Sequence, residues 1–281
     1  MLLACPDRPG IVAAVTERLL QRGWNILTLE QHVEGGNAFF MRILAEAIGP
    51  EADQVHPELV ALGDRFGGTV WLHDPKRRMK VGMLVTREPA CAVDLLVRAR
   101  LGQLPGLIPV IASNRSDLAW LGEMFDVEFH HVPDGGRAAH EHGVIELFER
   151  ASVELVVLAR YMKVLSDDFL GRYPDAVINI HHSFLPSFKG ARPYQQAWER
   201  GVKVIGATAH YATADLDEGP IITQDVLPVS HQHSAEMMVD SGRDIERRVL
   251  AQAVLAHLEH RTIIHGNRTI VFHPDGLEQS P

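Results

Sequence analysis

The stretch Val177-Ile178-Asn179-Ile180-His181-His182-Ser183-Phe184-Leu185-Pro186 begins as an apolar β-strand and runs into a loop, carrying an amide and two imidazoles across the boundary. Strand side chains alternate between faces, so Asn179 and His181 are expected on one side and His182 on the other. This strand is one of a series. Residues 81–86, 108–112, 127–132, 155–159 and 177–181 are short runs rich in Val, Ile and Leu, and the stretches between them, such as 92–101 and 138–150, have helical character. Such strands spaced by helices predict a parallel sheet covered on both faces, a doubly wound α/β domain. Ligands of open α/β sheets bind beyond the carboxyl ends of the strands, where Asn179 and His181 lie. An imidazole that titrates near neutrality and an amide donor placed there can polarise a carbonyl and stabilise the oxyanion of a tetrahedral intermediate. Both side chains would serve equally well to satisfy buried backbone at a strand end, and spacing alone leaves the two readings open.

A second segment, His210-Tyr211-Ala212-Thr213-Ala214-Asp215-Leu216-Asp217-Glu218-Gly219-Pro220, follows the apolar run 204–209 and sets three carboxylates in four positions before a Gly-Pro turn. Like charges that close raise one another's pKa, which would make one of them a base near neutrality. By itself the segment reads first as a solvated acidic turn. Further on, Ile245, Val249 and Ala253 step by four in a long helix, and 262–264 with 269–271 flank His265-Gly266-Asn267-Arg268 as a terminal hairpin.

Residues 1–74 have a different rhythm. A short strand at Leu2-Leu3-Ala4 precedes a helical stripe of Ile11, Val12, Val15 and Leu19, closed by Gly23; β-like runs 24–33 and 38–47 enclose the hairpin residues Glu34-Gly35-Gly36-Asn37; Val55, Leu59, Leu62 and Phe66 form a second helical stripe before Thr69-Val70-Trp71-Leu72. The order βαββαβ is the ferredoxin-like plan. Phe39, Met41 and Ile43 alternate with Arg42 and Glu46, which predicts a sheet with one dry face and one wet. A charged, Pro-containing linker at 75–80 then leads to a second domain at 81–281.

The 281 residues correspond to about two domains of roughly 150 residues. A formal net charge of −9 argues against a phosphate-backbone footprint, so nucleic acid is not an expected partner. Cys5 and Cys91 lie far apart without CxxC spacing, as in a reducing compartment. No signal peptide is readable and no run reaches about 18 apolar residues, so a cytoplasmic protein without a membrane partner is expected. The 16 histidines raise the question of a metal, yet they include no HExxH and no Cys/His set with zinc spacing, and His140 and His142, two apart on a predicted helix, do not converge; no metal is expected. Cys91 begins a predicted helix, with no His or Asp spaced to activate it, and reads as a packing residue.

Asn179-Ile180-His181-x-Ser183-x-Leu185-Pro186, followed by His210-x-x-x-x-x-Leu216-Asp217-x-Gly219-Pro220, resembles the signature of the folate-dependent formyltransferases over roughly residues 81–260. The His181-His182 doublet and the loop Lys189-Gly190-Ala191-Arg192-Pro193-Tyr194-Gln195-Gln196-Ala197 are more similar to the deformylase branch of that family than to the transformylases, which usually carry His-Pro. Cys5-Pro6-Asp7-Arg8-Pro9-Gly10-Ile11-Val12 resembles the opening of an ACT domain, a small-ligand-sensing βαββαβ module, and this pairing of domains is itself the deformylase arrangement. The fold class this implies is α/β, an N-terminal ferredoxin-like (ACT) domain followed by a doubly wound, mostly parallel formyltransferase-like domain.

Carried over by position, the family's catalytic residues fall on Asn179, His181 and Asp217. The resemblance implies hydrolysis of 10-formyltetrahydrofolate, as substrate and with no cofactor, to tetrahydrofolate and formate: Asp217 orients or deprotonates water, Asn179 and His181 stabilise the oxyanion, and His181 protonates the departing nitrogen. It places the pterin against Tyr161, Met162, Lys163 and Leu165 and against His210, Ala212, Thr213 and Asp215. The ACT likeness suggests an amino-acid effector at Asp7, Arg8, Pro9 and Gly10, which read otherwise as a strand-to-helix turn, and the exposed edges of such a sheet suggest a homo-oligomer. Transformylases place a glycine-rich phosphate loop after the first strand of this domain; here the position reads Thr86-Arg87-Glu88-Pro89-Ala90-Cys91, with no glycine, a carboxylate, and a Pro that has no N–H to offer. Water as acceptor is therefore expected. Transfer to an amine acceptor and folate sensing without turnover are the alternatives.

Overall fold

Two sheets organise the chain in the computed structural model, which describes residues 1–48, 55–187 and 193–273. The structure divides into two units. The first comprises Met1–Arg77, His260–Ile263 and, from Ile270, the described residues to His273; the second comprises Arg78–Glu259 and Ile264–Thr269.

In the first unit β1 (Leu2–Pro6), α1 (Ile11–Gln21), β2 (Trp24–Glu34), β3 (Ala38–Ala47), α2 (Val55–Phe66) and β4 (Thr69–Trp71) follow in the ferredoxin-like order. The strands form an antiparallel sheet in the order β2-β3-β1-β4. The stripes read from the sequence supply its core: Ile11, Val15 and Leu19 of α1 and Val55, Leu59, Leu62 and Phe66 of α2 pack with Leu3, Met41 and Ile43. Gly36 and Asn37 turn the β2–β3 hairpin with positive φ, as such short connections require.

The opposite face of this sheet is not wet. Leu2 and Phe40 form a second apolar cluster with Ile263 and Phe272, and Arg42, expected at a solvated position, donates Nε–H to the His260 carbonyl and pairs with Glu30. Residues near the C-terminus thus belong with the first unit, and the second does not extend uninterrupted from 81 to 281. Period-two alternation inside β3 cannot reveal a cover supplied by residues more than two hundred positions away.

The second unit begins at β5 (Met79–Val85), so the last residues of the expected linker are already strand. It continues through α3 (Ala90–Arg100), β6 (Gly106–Ser113), α4 (Trp120–Phe125), β7 (Glu128–His131), α5 (Arg137–Ala151), β8 (Leu155–Leu158), α6 (Asp167–Arg172), β9 (Val177–His181), α7 (Pro193–Arg200), β10 (Val204–Tyr211), β11 (Ile221–Pro228) and α8 (Ala235–Leu258); β12 (Thr262–His265) and β13 (Arg268–Val271) complete the sheet order β12-β13-β11-β10-β9-β8-β5-β6-β7. From β9 to β7 all neighbours are parallel. The chain runs outward from β5 through β6 to β7, then returns to β8 on the other side, so the topological switch lies between β5 and β8. β10 departs from the parallel pattern, pairing antiparallel with both β9 and β11. One sheet face is packed by α5 and α6 through Val144, Phe148 and Phe169. Among the described residues, no helix is long and apolar enough to cross a membrane, and both cysteines are free and buried.

Candidate active site

The antiparallel return of β10 builds the site. Its register places His210 opposite Asn179 and Thr208 opposite His181, so neighbouring strand ends contribute side chains to one place. Asn179 Nδ2 lies 3.2 Å from His210 Nε2, and His210 Nδ1 lies 2.9 Å from the Tyr211 carbonyl. A carbonyl only accepts, so Nδ1 carries the proton of that bond. Thr208, fully buried, donates to the Ser183 carbonyl and accepts from Leu185 N–H and Gln224 Nε2–H, fixing the loop after β9.

Asp217 comes from the turn after β10. Its φ is +57°, a left-handed conformation that Asp tolerates better than most side chains. The turn closes where Tyr211 N–H donates to the Pro220 carbonyl at 2.9 Å. Gly219 is required there, because a Cβ would lie 1.8 Å from the Tyr211 carbonyl oxygen. The result is a carboxylate only 7% exposed, with Oδ1 3.1 Å from His181 Nδ1 and 3.8 Å from His210 Nε2.

Burial pushes the Asp217 carboxyl up, but hydrogen bonding with His181 and His210 outweighs it and holds the group well below the usual carboxylate range. The expectation that clustered carboxylates raise one of their number towards neutrality fails, because Asp215 and Glu218 are exposed while Asp217 turns inward to two imidazoles. An acid this strong is a weak base; it orients and stabilises charge. His181, with Nδ1 on Asp217, has Nε2 buried and without a hydrogen-bond partner.

The three residues open on a cavity of about 320 Å³, within the range of small-ligand sites. Of the residues expected to bind substrate, Tyr161, Met162, Lys163, Leu165, His210, Ala212 and Thr213 line it. Asp215 does not: it is exposed and its carbonyl accepts from Thr213 Oγ1 at 3.1 Å. The wall after β8 is held from α5. His140 donates Nδ1–H to the Val132 carbonyl (2.9 Å), which leaves Nε2 to accept from the Tyr161 hydroxyl (2.6 Å), and burial holds that phenol protonated. Glu141 accepts from both the N–H and the hydroxyl of Ser166, which in turn caps α6 by accepting from Phe169 N–H. Lys163 turns to Asp134, while Met162 and Val164 present exposed apolar surface to the cavity.

Two further residues line the cavity. His182 does not simply turn away; it lines the same cavity, its ring centroid 5.2 Å from that of His181. Burial, with help from the charges of Arg160 and His181, pushes its pKa down to about 3. Arg160 also lines the cavity and pairs with Glu246 of α8; a charged residue directly after a wholly buried strand was the available signal. The expected loop residues 189–192 lie outside the described residues, and its continuation begins α7. Among the described residues, no three His, Cys, Asp or Glu gather in a metal-holding group.

Comparison with known proteins identifies the family. Residues 79–254 match the family model described as formyl transferase. The chain is 41% identical to a formyltetrahydrofolate deformylase from Synechocystis over 97% of each chain. It is similar to the crystal structure of a formyltetrahydrofolate deformylase from Pseudomonas syringae, with a TM-score of 0.93, 40% identity, and coverage of 97% of this chain and 93% of that one. A glycinamide ribonucleotide transformylase from Symbiobacterium toebii is more distant, with a TM-score of 0.68 and 30% identity over 73% of this chain and 98% of its own.

Proposed function

The chain belongs to the formyl transferase family, among its formyltetrahydrofolate deformylases, and from that membership we propose that it hydrolyses 10-formyltetrahydrofolate to tetrahydrofolate and formate. The observation that carries this reading is the convergence of Asn179, His181 and Asp217 on a cavity whose opposite wall is the loop 160–165. Asp217, held ionised, accepts a hydrogen bond from the attacking water and offsets the positive charge that His181 gains as its Nε2 takes that water's proton. Asn179, beside His210, and His181 Nε2, which has no hydrogen-bond partner in the protein and donates once it holds that proton, face the formyl oxygen as it becomes an oxyanion; donors preorganised for that charge supply a large share of such catalysis. The imidazolium then gives its proton to N10 as the C–N bond breaks. The pterin lies against the Tyr161 ring and the apolar side chains of Met162, Val164 and Leu165.

The test is incubation with 10-formyltetrahydrofolate alone, following tetrahydrofolate and formate. If neither forms until an amine is added, hydrolysis is not the function. No metal enters this scheme, so activity should survive exhaustive chelation; loss restored by a divalent ion would refute that part.

The first unit is proposed to bind a small amino acid at the turn Asp7, Arg8, Pro9 and Gly10. Gly10 sits at φ +93° before α1, whose first turn has neither a side-chain cap nor an acidic residue, leaving its amides suited to a carboxylate. Arg8 is committed to the turn itself, donating to the Arg65 carbonyl and stacking on Phe66. Titration calorimetry with a panel of amino acids tests the proposal, and the absence of heat for all of them would remove it. The expected cytoplasmic location remains part of the same reading.

A further inference from the structure

The topological switch between β5 and β8 is where open α/β sheets usually leave a crevice for a ligand. In this chain residues that follow both strands pair with α8. Arg160, just past the end of β8, lies with Nε 3.3 Å from Glu246 Oε2, and Glu246 is 1% exposed. Tyr194 of α7 donates its hydroxyl to the other oxygen, Oε1, at 2.7 Å. One helical turn earlier on α8, Arg243 Nε pairs with Glu88 Oε2 at 2.9 Å, and Glu88 belongs to the loop after β5. That loop also meets the other wall, where Met162 N–H donates to Thr86 Oγ1 at 3.2 Å.

Three details show that this closure is built in. Arg160 has φ +60°, a conformation unfavourable for a non-glycine residue, so the position would relax with glycine and is held by what the side chain does. Gly242 of α8 admits the Tyr194 ring, whose atoms would lie 2.2 Å from a Cβ there, and that approach brings the hydroxyl to Glu246. Burying a carboxylate and a guanidinium together is expensive, the more so here because Arg160 Nε and Nη1 and Glu246 Oε2 are buried without a hydrogen bond, and burial raises the Glu246 pKa against the opposing effect of Arg160.

The catalytic cavity lies directly against this pair, since Arg160 lines it beside His182. The second unit shares its fold with a transformylase, so the fold by itself does not select water as the acceptor. We propose that the Arg160–Glu246 pair, latched by Tyr194 and by Arg243–Glu88, occupies the space through which an amine would reach the formyl carbon, and so reserves that carbon for water. Arg160 is then a specificity-determining residue. The inference rests on the hydrolytic reading above. In hydrolysis the bond from the formyl carbon to N10 breaks, a bond to water oxygen forms, N10 takes a proton, and formate leaves. With the crevice open, a primary amine forms the new bond instead, its proton passes to N10, and an N-formyl amide leaves.

The experiment compares wild type with Arg160→Gly/Glu246→Gln, which removes both buried charges and suits the backbone at 160. Each enzyme receives 10-formyltetrahydrofolate carrying a labelled formyl carbon, with and without glycinamide, and the ratio of formylglycinamide to formate is read by NMR. The expected result is a rise of about tenfold or more in that ratio, the scale on which a reshaped pocket alters discrimination. An unchanged ratio in a folded, active double variant overturns the proposal. So does a folded variant with no turnover of either kind, because Arg160 would then belong to the hydrolytic chemistry itself. Should the double variant not fold, Tyr194→Phe/Arg243→Ala loosens both latches while keeping the buried pair; its ratio must rise too, and no rise overturns the proposal. Wild type releasing no formate without amine would instead refute the hydrolytic reading.

Discussion

Asp217 combines a left-handed backbone, near-complete burial and two imidazole neighbours, and each follows from the turn that ends in Gly219-Pro220. Asp217→Asn keeps the shape and removes the charge, so turnover should fall roughly 10²- to 10⁴-fold with the circular dichroism spectrum unchanged; a rate within a few-fold of wild type would discard the electrostatic role. His182 differs from His181 in kind. With its pKa near 3, it is neutral throughout the working range and contributes no ionisation to the pH–rate profile. His182→Gln should therefore leave the midpoint of any acid limb in kcat/KM where wild type has it, whatever the effect on the absolute rate. A limb that moved or vanished would show that His182 titrates during turnover. Asn179, His181 and Asp217 stand in short local patterns that spacing alone left open, and the family resemblance is what singled them out. Arg160 was not legible, because its meaning depends on Glu246, a residue distant in sequence that meets it only through the packing of α8.

At the scale of elements, the strands and helices followed the apolar periodicity closely; α1, β3, α2 and β9 lie where their stripes and alternations put them. Direction was the illegible part. Nothing in the run 204–209 distinguishes a parallel strand from one that returns antiparallel, yet only the antiparallel register sets His210 opposite Asn179. A further element-scale feature is the clamp between α1 and α2, where Arg18 and Arg22 both reach Glu58. Hydrogen bonding with Arg22, reinforced by Arg18, pushes the Glu58 pKa down to about 2. A carboxyl whose folded pKa lies below its unfolded one adds stability above the unfolded value, and that contribution is lost as pH falls through the folded value. Glu58→Gln should thus lower the urea midpoint at pH 7 relative to wild type, with the gap narrowing below about pH 4.5 and closing near about pH 2. A gap that stayed constant across that window would mean the clamp acts through packing alone.

For the whole molecule, assembly turns on an exposed sheet edge. In the first unit's sheet, β2 is eleven residues long, pairs among the described residues with β3 alone and forms one edge. The β2–β3 register shifts between Ile26 and Thr28, leaving Leu27 at the irregularity and half exposed, with Val33 equally exposed further along. Long edge strands with apolar side chains invite pairing with another chain unless charge, proline or a cover prevents it. β2 has no proline, its Glu30 is paired with Arg42 and Glu34 stands at its end, and copies meeting edge to edge under two-fold symmetry would satisfy the open backbone groups reciprocally. We therefore expect a homo-oligomer assembled through this edge, with a mass in solution at a multiple of the 31.2 kDa chain. Leu27→Lys places a charge at the irregularity without touching the core beneath α1 and α2, so it should shift the light-scattering mass towards a single chain while leaving helix content intact. A wild type that runs as one chain at micromolar concentration removes the expectation, and a Leu27→Lys variant that keeps the wild-type mass moves the interface elsewhere.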